Sequence, residues 1–433
     1  MRCSLGVTQI VTWGILLFVL AAIASGRLRM EVVAMGGLLL LGLSGIAPPQ
    51  IIFSGFGHPA LATIVAVFFI SQGIINSGLM RGLGQNLSRH MKGIRGQILS
   101  IAAVTAFLSA FMNNVGAAGL MLPTAVRMAK RCDNSPGSFG LPLAFASILG
   151  GTLTLIGSAP NIIIASYMLT STGQPFHMFD FAPHGLAMLA TAFLLWLLCK
   201  SCGIDPGATT GPAAQQSIPL EVGTIKEDLT EEFHFAPLAT RERIITLLAI
   251  LPAIALVSFG LIHPAFGFGG AALVLIIGGV LKPPAAYECV DLRIVFFLGA
   301  MLGIGQTLEH TGALDLVSLA LSSFTAGLSP FLLILLLLFV SSALSNMINN
   351  AAAAVFMTPL AISMAAGSAM EPAAALMAVA AGANLTLLLP THQATLMVLS
   401  KAPFSTASFI RFGIILSVCC GLAATAAIAL VWQ

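Results

Sequence analysis

Long apolar runs separated by short polar breaks dominate the chain. In the first half they lie near residues 5–25, 31–46, 59–80, 96–126, 140–170 and 183–202; in the second, near 243–262, 268–282, 293–313, 329–366, 372–398 and 408–431. Runs of ~17–25 apolar residues are what α-helices need to cross a ~30 Å hydrocarbon core. The two sets of runs follow one another in the same order, and short motifs recur with them. Val67-Phe68-Phe69 returns as Val295-Phe296-Phe297, and Ser77-Gly78 as Thr311-Gly312. Asn113-Asn114, Pro123 and Met128-Ala129 return at one constant offset as Asn349-Asn350, Pro359 and Met364-Ala365. The chain therefore reads as two copies of one unit, 1–202 and 242–433. A polar linker at 203–241 separates them, with Pro206, Pro212, Pro219, Pro237 and the acidic stretch Glu227 to Glu232. At the N-terminus, Arg2, an apolar stretch and Ala21 to Ser25 imitate a cleavable signal peptide. The matching run 243–262 argues for a retained helix instead.

Cations mark cytoplasmic loops. The run 96–126 has Arg89, Lys92 and Arg95 before it and Arg127, Lys130 and Arg131 after it. A single crossing would leave one of these clusters outside, so the run is expected to enter and return, turning at Asn113-Asn114. Its counterpart 329–366 carries no Lys or Arg at either end, which suits a hairpin dipping in from the opposite face. Five crossings plus one re-entrant hairpin per copy place the N-terminus outside, the linker inside and the C-terminus outside. The odd number of crossings makes the two copies inverted repeats, an arrangement common among secondary transporters. The expected fold is thus an all-α polytopic membrane protein.

Composition agrees. The 433 residues are 58% hydrophobic and only 8% charged, with a mean hydropathy of +1.01, where soluble proteins carry roughly a quarter charged residues. A net charge of +3, with no basic run interleaved with aromatics, excludes nucleic acid as the expected partner. Forty-three Gly and 22 Pro suit interrupted helices whose freed backbone is satisfied by neighbouring protein. The seven Cys form no disulfide framework, and Cys199-x-x-Cys202 lacks the second pair a structural zinc site needs.

The polar residues of the hairpins carry the candidate chemistry. Each places a Ser four or five residues before an Asn pair: Ser109 before Asn113-Asn114, and Ser345 before Asn349-Asn350. The small residues that follow, Gly116 to Ala118 and Ala351 to Ala354, let a second helix begin close to the first. Its free N–H groups and positive dipole end attract anions. Oxygens from unwound carbonyls, Ser and Asn can hold Na⁺; Ser109, Asn114, Gly157, Ser345 and Asn350 are the candidate ligands. Two further segments should break in mid-membrane. One is Gly157-Ser158-Ala159-Pro160-Asn161 and the other Pro390-Thr391-His392-Gln393-Ala394-Thr395. Asn113, Asn114, Ser158, Pro160, Asn161, Asn349, Asn350, Thr391, His392, Gln393 and Thr395 are therefore the candidate substrate contacts, expected to line one cavity near the midplane. Each has a plainer alternative. Asn pairs can serve as interhelical glue, and His392 can be a packing residue, a proton carrier or a ligand. Glu309 and His310 are assigned to the membrane interface. Gly267 to Ala272 loosely fits a dinucleotide fingerprint, but no strand precedes it, and it is read as a loop entering a helix.

These residues resemble the divalent anion/sodium symporters, and more closely the bacterial sulfate- and citrate-type permeases of the ion transporter superfamily. The resemblance covers nearly the whole chain. It rests on Ser109, Asn113-Asn114 and Pro123, on Gly157 to Asn161, on Ser345, Asn349-Asn350 and Pro359, and on Pro390 to Gln393 with Phe409 to Gly413 behind it. It implies a Na⁺-coupled carrier for sulfate, a dicarboxylate or a citrate-like anion, without an organic cofactor. It further implies elevator-type alternating access, a homodimer built on the scaffold helices, and residence in the bacterial inner (plasma) membrane. The family's Ser-Asn-Thr triplets stand here as Asn113-Asn114-Val115 and Asn349-Asn350-Ala351. An H⁺-coupled anion or arsenite-type oxyanion permease is the alternative carrier, and a passive anion channel the alternative of another class. No HExxH, and no GxSxG with a partner, points to an enzyme.

Overall fold

Residues 6–25, 27–79, 93–198, 240–313 and 327–433 are described by the structure, a computed structural model, and they form helices without a strand. Arg2, Arg89, Lys92, the pair Cys199 and Cys202, and the linker up to residue 239 lie outside the described residues. The first half comprises α1 (Val7–Ala24), α2 (Met30–Leu43), the short α3 (Pro49–Ile52) with a 3₁₀ turn Phe53–Gly57, α4 (Pro59–Ser77), α5 (Ile94–Ser109), α6 (Asn114–Arg131), α7 (Gly137–Gly150), α8 (Ala159–Thr172) and α9 (Ala182–Leu198). The second comprises α10 (Thr240–Ser258), α11 (Pro264–Ile277), the short α12 (Pro283–Glu288), α13 (Leu292–His310), α14 (Pro330–Met347), α15 (Asn350–Ala366), α16 (Pro372–Asn384), α17 (Gln393–Lys401) and α18 (Thr406–Val431).

The starts of these helices follow from the sequence. Pro59, Pro264, Pro330 and Pro372 each occupy the first helical position, where a missing N–H costs nothing and φ is already helical. Exposed apolar side chains such as Leu17, Phe18, Leu248, Phe266 and Leu430 are a surface suited to lipid rather than water. The Gly267–Ala272 run lies wholly inside α11 rather than in a loop before it, because Pro264 starts the helix and the glycines meet no competing turn.

Both expected interruptions of the long runs are present. The chain from 94 to 131 is two helices, not a rod. At their far ends the Cys132 thiol donates to Gln97 Oε1 at 2.8 Å, so start and finish lie on one side and the run turns back at 110–113. Helices α14 and α15 pack on one another in the same way, with the turn at 348–349. The second kind of interruption separates α7 from α8 at 151–158 and α16 from α17 at 385–392. Pro160 does not itself break the helix, as the sequence suggested; it sits in the first turn of α8. The break lies earlier because Asn161 of α8 turns back to hold the carbonyls of Gly151 and Thr154.

The helices sort into two packed groups. One contains α1–α4, α10, α11 and α13; the other contains α5–α9 and α14–α18. Glycines permit the close approaches within them. A Cβ at Gly55 would stand 2.1 Å from the Gly299 carbonyl, which seats the 3₁₀ turn on α13. The breaks are backed similarly. Gly185 of α9 lies against the Thr152 carbonyl, and Gly413 of α18 so close to the Leu387 carbonyl that a Cβ would be 1.9 Å away.

Candidate functional site

Two hairpin turns and two helix breaks meet where the groups face each other. They enclose a cavity of about 340 Å³ lined by Asn113 and Asn114, by Gly157 and Ser158, by Ser345, Asn349 and Asn350, and by Thr391, His392 and Gln393. The opposite wall comes from the other group, through Met30, Ile64, Val67, Phe68, Asp291, Ile294 and Phe297, with Cys289 at its side.

Each turn is held by hydrogen bonds that the local sequence supplies. In the first, the Ser109 hydroxyl donates to the Ser147 carbonyl on α7. The Asn114 amide nitrogen, in the orientation that suits its neighbours, donates to Ser109 Oγ at 2.9 Å, Ser147 O at 3.1 Å and Gly157 O at 3.3 Å. Asn114 thereby ties the hairpin to the first break. Thr154 adds a bond to the Ala110 carbonyl. In the second, Ser345 donates to Ala383 O at 2.6 Å, and Asn346 spans the break. Its amide donates to Leu385 O at 3.1 Å, while its Oδ1 accepts from the N–H groups of Leu388 and Leu389. A buried, interrupted backbone needs such partners, since each orphaned group costs ~1–3 kcal/mol.

Four helix N-termini therefore face the cavity: those of α6, α8, α15 and α17. Three are capped by the residue before them. Asn113 accepts from Gly116 N–H at 2.6 Å, Asn349 from Ala351 N–H at 2.8 Å and His392 from Ala394 N–H at 3.2 Å. At the fourth, Ser158 makes no cap bond; the residue is 6% exposed, and its buried hydroxyl has no partner. Thr386, also at the cavity, has a buried hydroxyl without a partner. No Lys or Arg is among the lining residues, and Asp291 is the one carboxylate there. The cavity thus presents N–H donors, hydroxyls, amides and the positive ends of helix dipoles, a surface that attracts an anion without a fixed cation.

Not every residue singled out from the sequence faces this space. Asn161 is fully buried, with its amide on Gly151 O (3.2 Å) and Thr154 O (2.8 Å) and its Oδ1 accepting from Asn384 at 2.8 Å. Pro160 and Thr395 are buried in α8 and α17 and are not in the lining. Ser109 sits behind Asn114 rather than at the surface of the cavity. For Asn161 the reason is the break itself: the freed carbonyls of Gly151 and Thr154, together with Asn384, take up its amide. Thr386, Asn346 and Asp291 carried no assignment from the sequence. A Thr four residues ahead of Pro390 and a third Asn in the hairpin were the available signals; nothing local marks Asp291, which α13 brings in from the other group. Glu309 and His310 end α13 on the surface, away from the cavity.

Ser109 Oγ and Gly157 O both lie against the Asn114 side-chain amide; with that amide turned to present Oδ1 instead of its N–H₂, the three would form a neutral hard-oxygen set of the kind that suits Na⁺. Among the described residues no three His, Cys, Asp or Glu gather to hold a metal ion.

Interrupted helices joined into one polar cavity between two helical groups define a polytopic membrane protein with a transporter-type fold. The sequence profile of the citrate transporter family matches residues 15–382, and the chain belongs to that family. Among relatives, it is 31% identical over 178 residues to the uncharacterized transporter YfbS of Escherichia coli, 41% of this chain and 29% of that protein. It is 27% identical over 154 residues to sodium/sulfate cotransporter 1 of Chlamydomonas reinhardtii, 34% of this chain and 18% of that one. It thus spans under a third of the length of these relatives. The crystal structure of the YdaH transporter of Alcanivorax borkumensis superposes over 98% of both chains with a TM-score of 0.62 at 13% identity, a likeness of fold.

Proposed function

We propose that the protein is a secondary active carrier of a small anion, of the sulfate, dicarboxylate or citrate-like class, driven by Na⁺. The observation that carries this reading is the convergence of four helix N-termini, with the unpartnered hydroxyls of Ser158 and Thr386, on a cavity without a cationic side chain. The anion is held by Asn113, Asn114, Asn349, Asn350, Ser158, Thr391, His392 and Gln393. Na⁺ sits at the oxygens around Ser109, Asn114 and Gly157, with Ser345 and Asn350 as the corresponding set in the second hairpin, where it offsets the anion's charge. The cavity lies between the two groups, so displacement of the group that carries the hairpins, relative to the other, would expose it to either side in an elevator-like cycle. The two halves are inverted repeats, 1–202 and 242–433, in a homodimer in the bacterial inner membrane. Membership of the citrate transporter family and the sodium/sulfate cotransporters among the relatives support the substrate class and the ion.

The test is uptake by reconstituted protein across sulfate, succinate, citrate and arsenite, with Na⁺ and pH gradients imposed separately. Saturable uptake of one of the first three, stimulated by Na⁺ and showing counterflow, is the expected result. Asn114→Ala and Asn350→Ala should each abolish it while insertion persists. Drive by protons alone, preference for arsenite, or flux without counterflow would replace the reading by an H⁺-coupled permease, an oxyanion permease or a channel, respectively.

A further inference from the structure

His392 is built into the cavity in a way that assigns its two ring nitrogens different tasks. Nδ1 accepts the Ala394 N–H at 3.2 Å and caps α17. A nitrogen that accepts cannot carry the ring proton, so in the neutral ring the proton sits on Nε2. Nε2 has no hydrogen-bond partner among the described residues, and the side chain lines the cavity. Around it stand Thr391 and Gln393 from the same break, with the Asn pairs of the two hairpins completing the polar surface. The Asn side chains at two of the other three helix starts cap through their Oδ1 atoms, which leaves each an Nδ2 donor, in Asn349 directed to Met30 Sδ at 3.8 Å. His392 is the cap whose ring also presents a second polar atom in a fixed direction.

We infer that His392 is a specificity-determining residue that holds one oxygen of the bound anion through Nε2–H, with the helix cap fixing its tautomer and its orientation. The inference rests on the anion cavity proposed above. A donor held this way needs no reorganisation when the ligand arrives, which is where a rigid first contact gains over a mobile one. The cap makes the ring a donor at the cavity rather than a proton carrier, because a proton added at Nδ1 would face the Ala394 N–H and cost the cap.

Two substitutions separate the tasks. The Oδ1 of an Asn side chain falls near the place of the imidazole Nδ1, and the Nε2 of Gln near that of the imidazole Nε2. His392→Asn therefore keeps the cap and loses the contact; His392→Gln keeps the contact and loses the cap. Reconstituted full-length protein is assayed for sulfate, succinate and citrate uptake, with thermal unfolding of each variant as a measure of folding. For the transported anion, the expected result is a KM raised at least tenfold in His392→Asn with Vmax within about twofold, and a KM within about threefold in His392→Gln with a lowered melting temperature. An unchanged KM in His392→Asn overturns the assignment and leaves His392 a cap alone. Equal rises in both variants, or failure of His392→Asn to fold, overturn it as well. Absence of uptake of every anion by the unaltered protein strikes instead at the transport reading on which this one stands.

Discussion

Replacing Asn161 by Ala separates the role this residue has in the fold from the role its sequence context suggested. The change removes the donor to Gly151 O and Thr154 O, at 3.2 and 2.8 Å, and the acceptor for the Asn384 amide at 2.8 Å. The Asn384 nitrogen keeps Ala380 O at 2.9 Å, so the damage concentrates on two carbonyls of the first break. Of the two, the Thr154 carbonyl keeps the Gly157 N–H at 3.4 Å, so the group left unsatisfied is the Gly151 carbonyl, at ~1–3 kcal/mol by the general scale. Side-chain hydrogen bonds inside membrane proteins average nearer ~0.6 kcal/mol, because the inserted but unfolded chain also finds partners; three bonds then amount to ~2 kcal/mol. The two routes overlap at about 2 kcal/mol, roughly a 30-fold loss in the ratio of folded to unfolded protein. The assay is thermal unfolding of purified protein in detergent, followed by tryptophan fluorescence and by the monodisperse fraction on size exclusion, with anion affinity measured well below the transition. Asn161→Ala should melt earlier and yet bind its anion within about threefold of the unaltered protein. Combining it with Asn384→Ala should give a coupling of ~0.6 kcal/mol, at most ~1.7. Normal melting with abolished affinity would refute the brace and return Asn161 to the ligand set.

Gly413→Val drives a side chain into the Leu387 carbonyl, where even a Cβ would lie 1.9 Å away; overpacking against backbone costs ~1–3 kcal/mol or more, and the yield of folded protein should collapse. Gly270→Ala, with nothing within 4 Å, should be neutral or raise the melting temperature, since Ala is favoured over Gly in a helix by ~1 kcal/mol; equal effects of the two changes would contradict the packing described for α18. Single Cys probes at Arg95 and Arg131, in a background without native Cys, should be labelled by an impermeant maleimide from the cytoplasmic side alone, and labelling of either from outside would reverse the proposed topology.

Much of this architecture was legible in the order of residues. The length and apolarity of the runs require helices in lipid, because no other open structure satisfies its own backbone there. Basic residues on both flanks of 96–126 required that run to turn back, and the hydrogen bond from Cys132 to Gln97 closes it at the other end. The recurrence of Asn113-Asn114 as Asn349-Asn350 picked out the two turns, since a side chain that caps its own backbone is a local device written within three residues. Tertiary structure alone decided which polar groups reach the cavity. Asn161 and Ser158 stand three residues apart, yet one braces the break and the other lines the cavity, a difference set by the carbonyls that the break leaves beside Asn161 and by Asn384 arriving from the other half of the chain. Asp291 and Met30 join the wall from the opposite group for the same reason. Packing between distant segments selects one face of each helix, and no local pattern encodes what will stand opposite it.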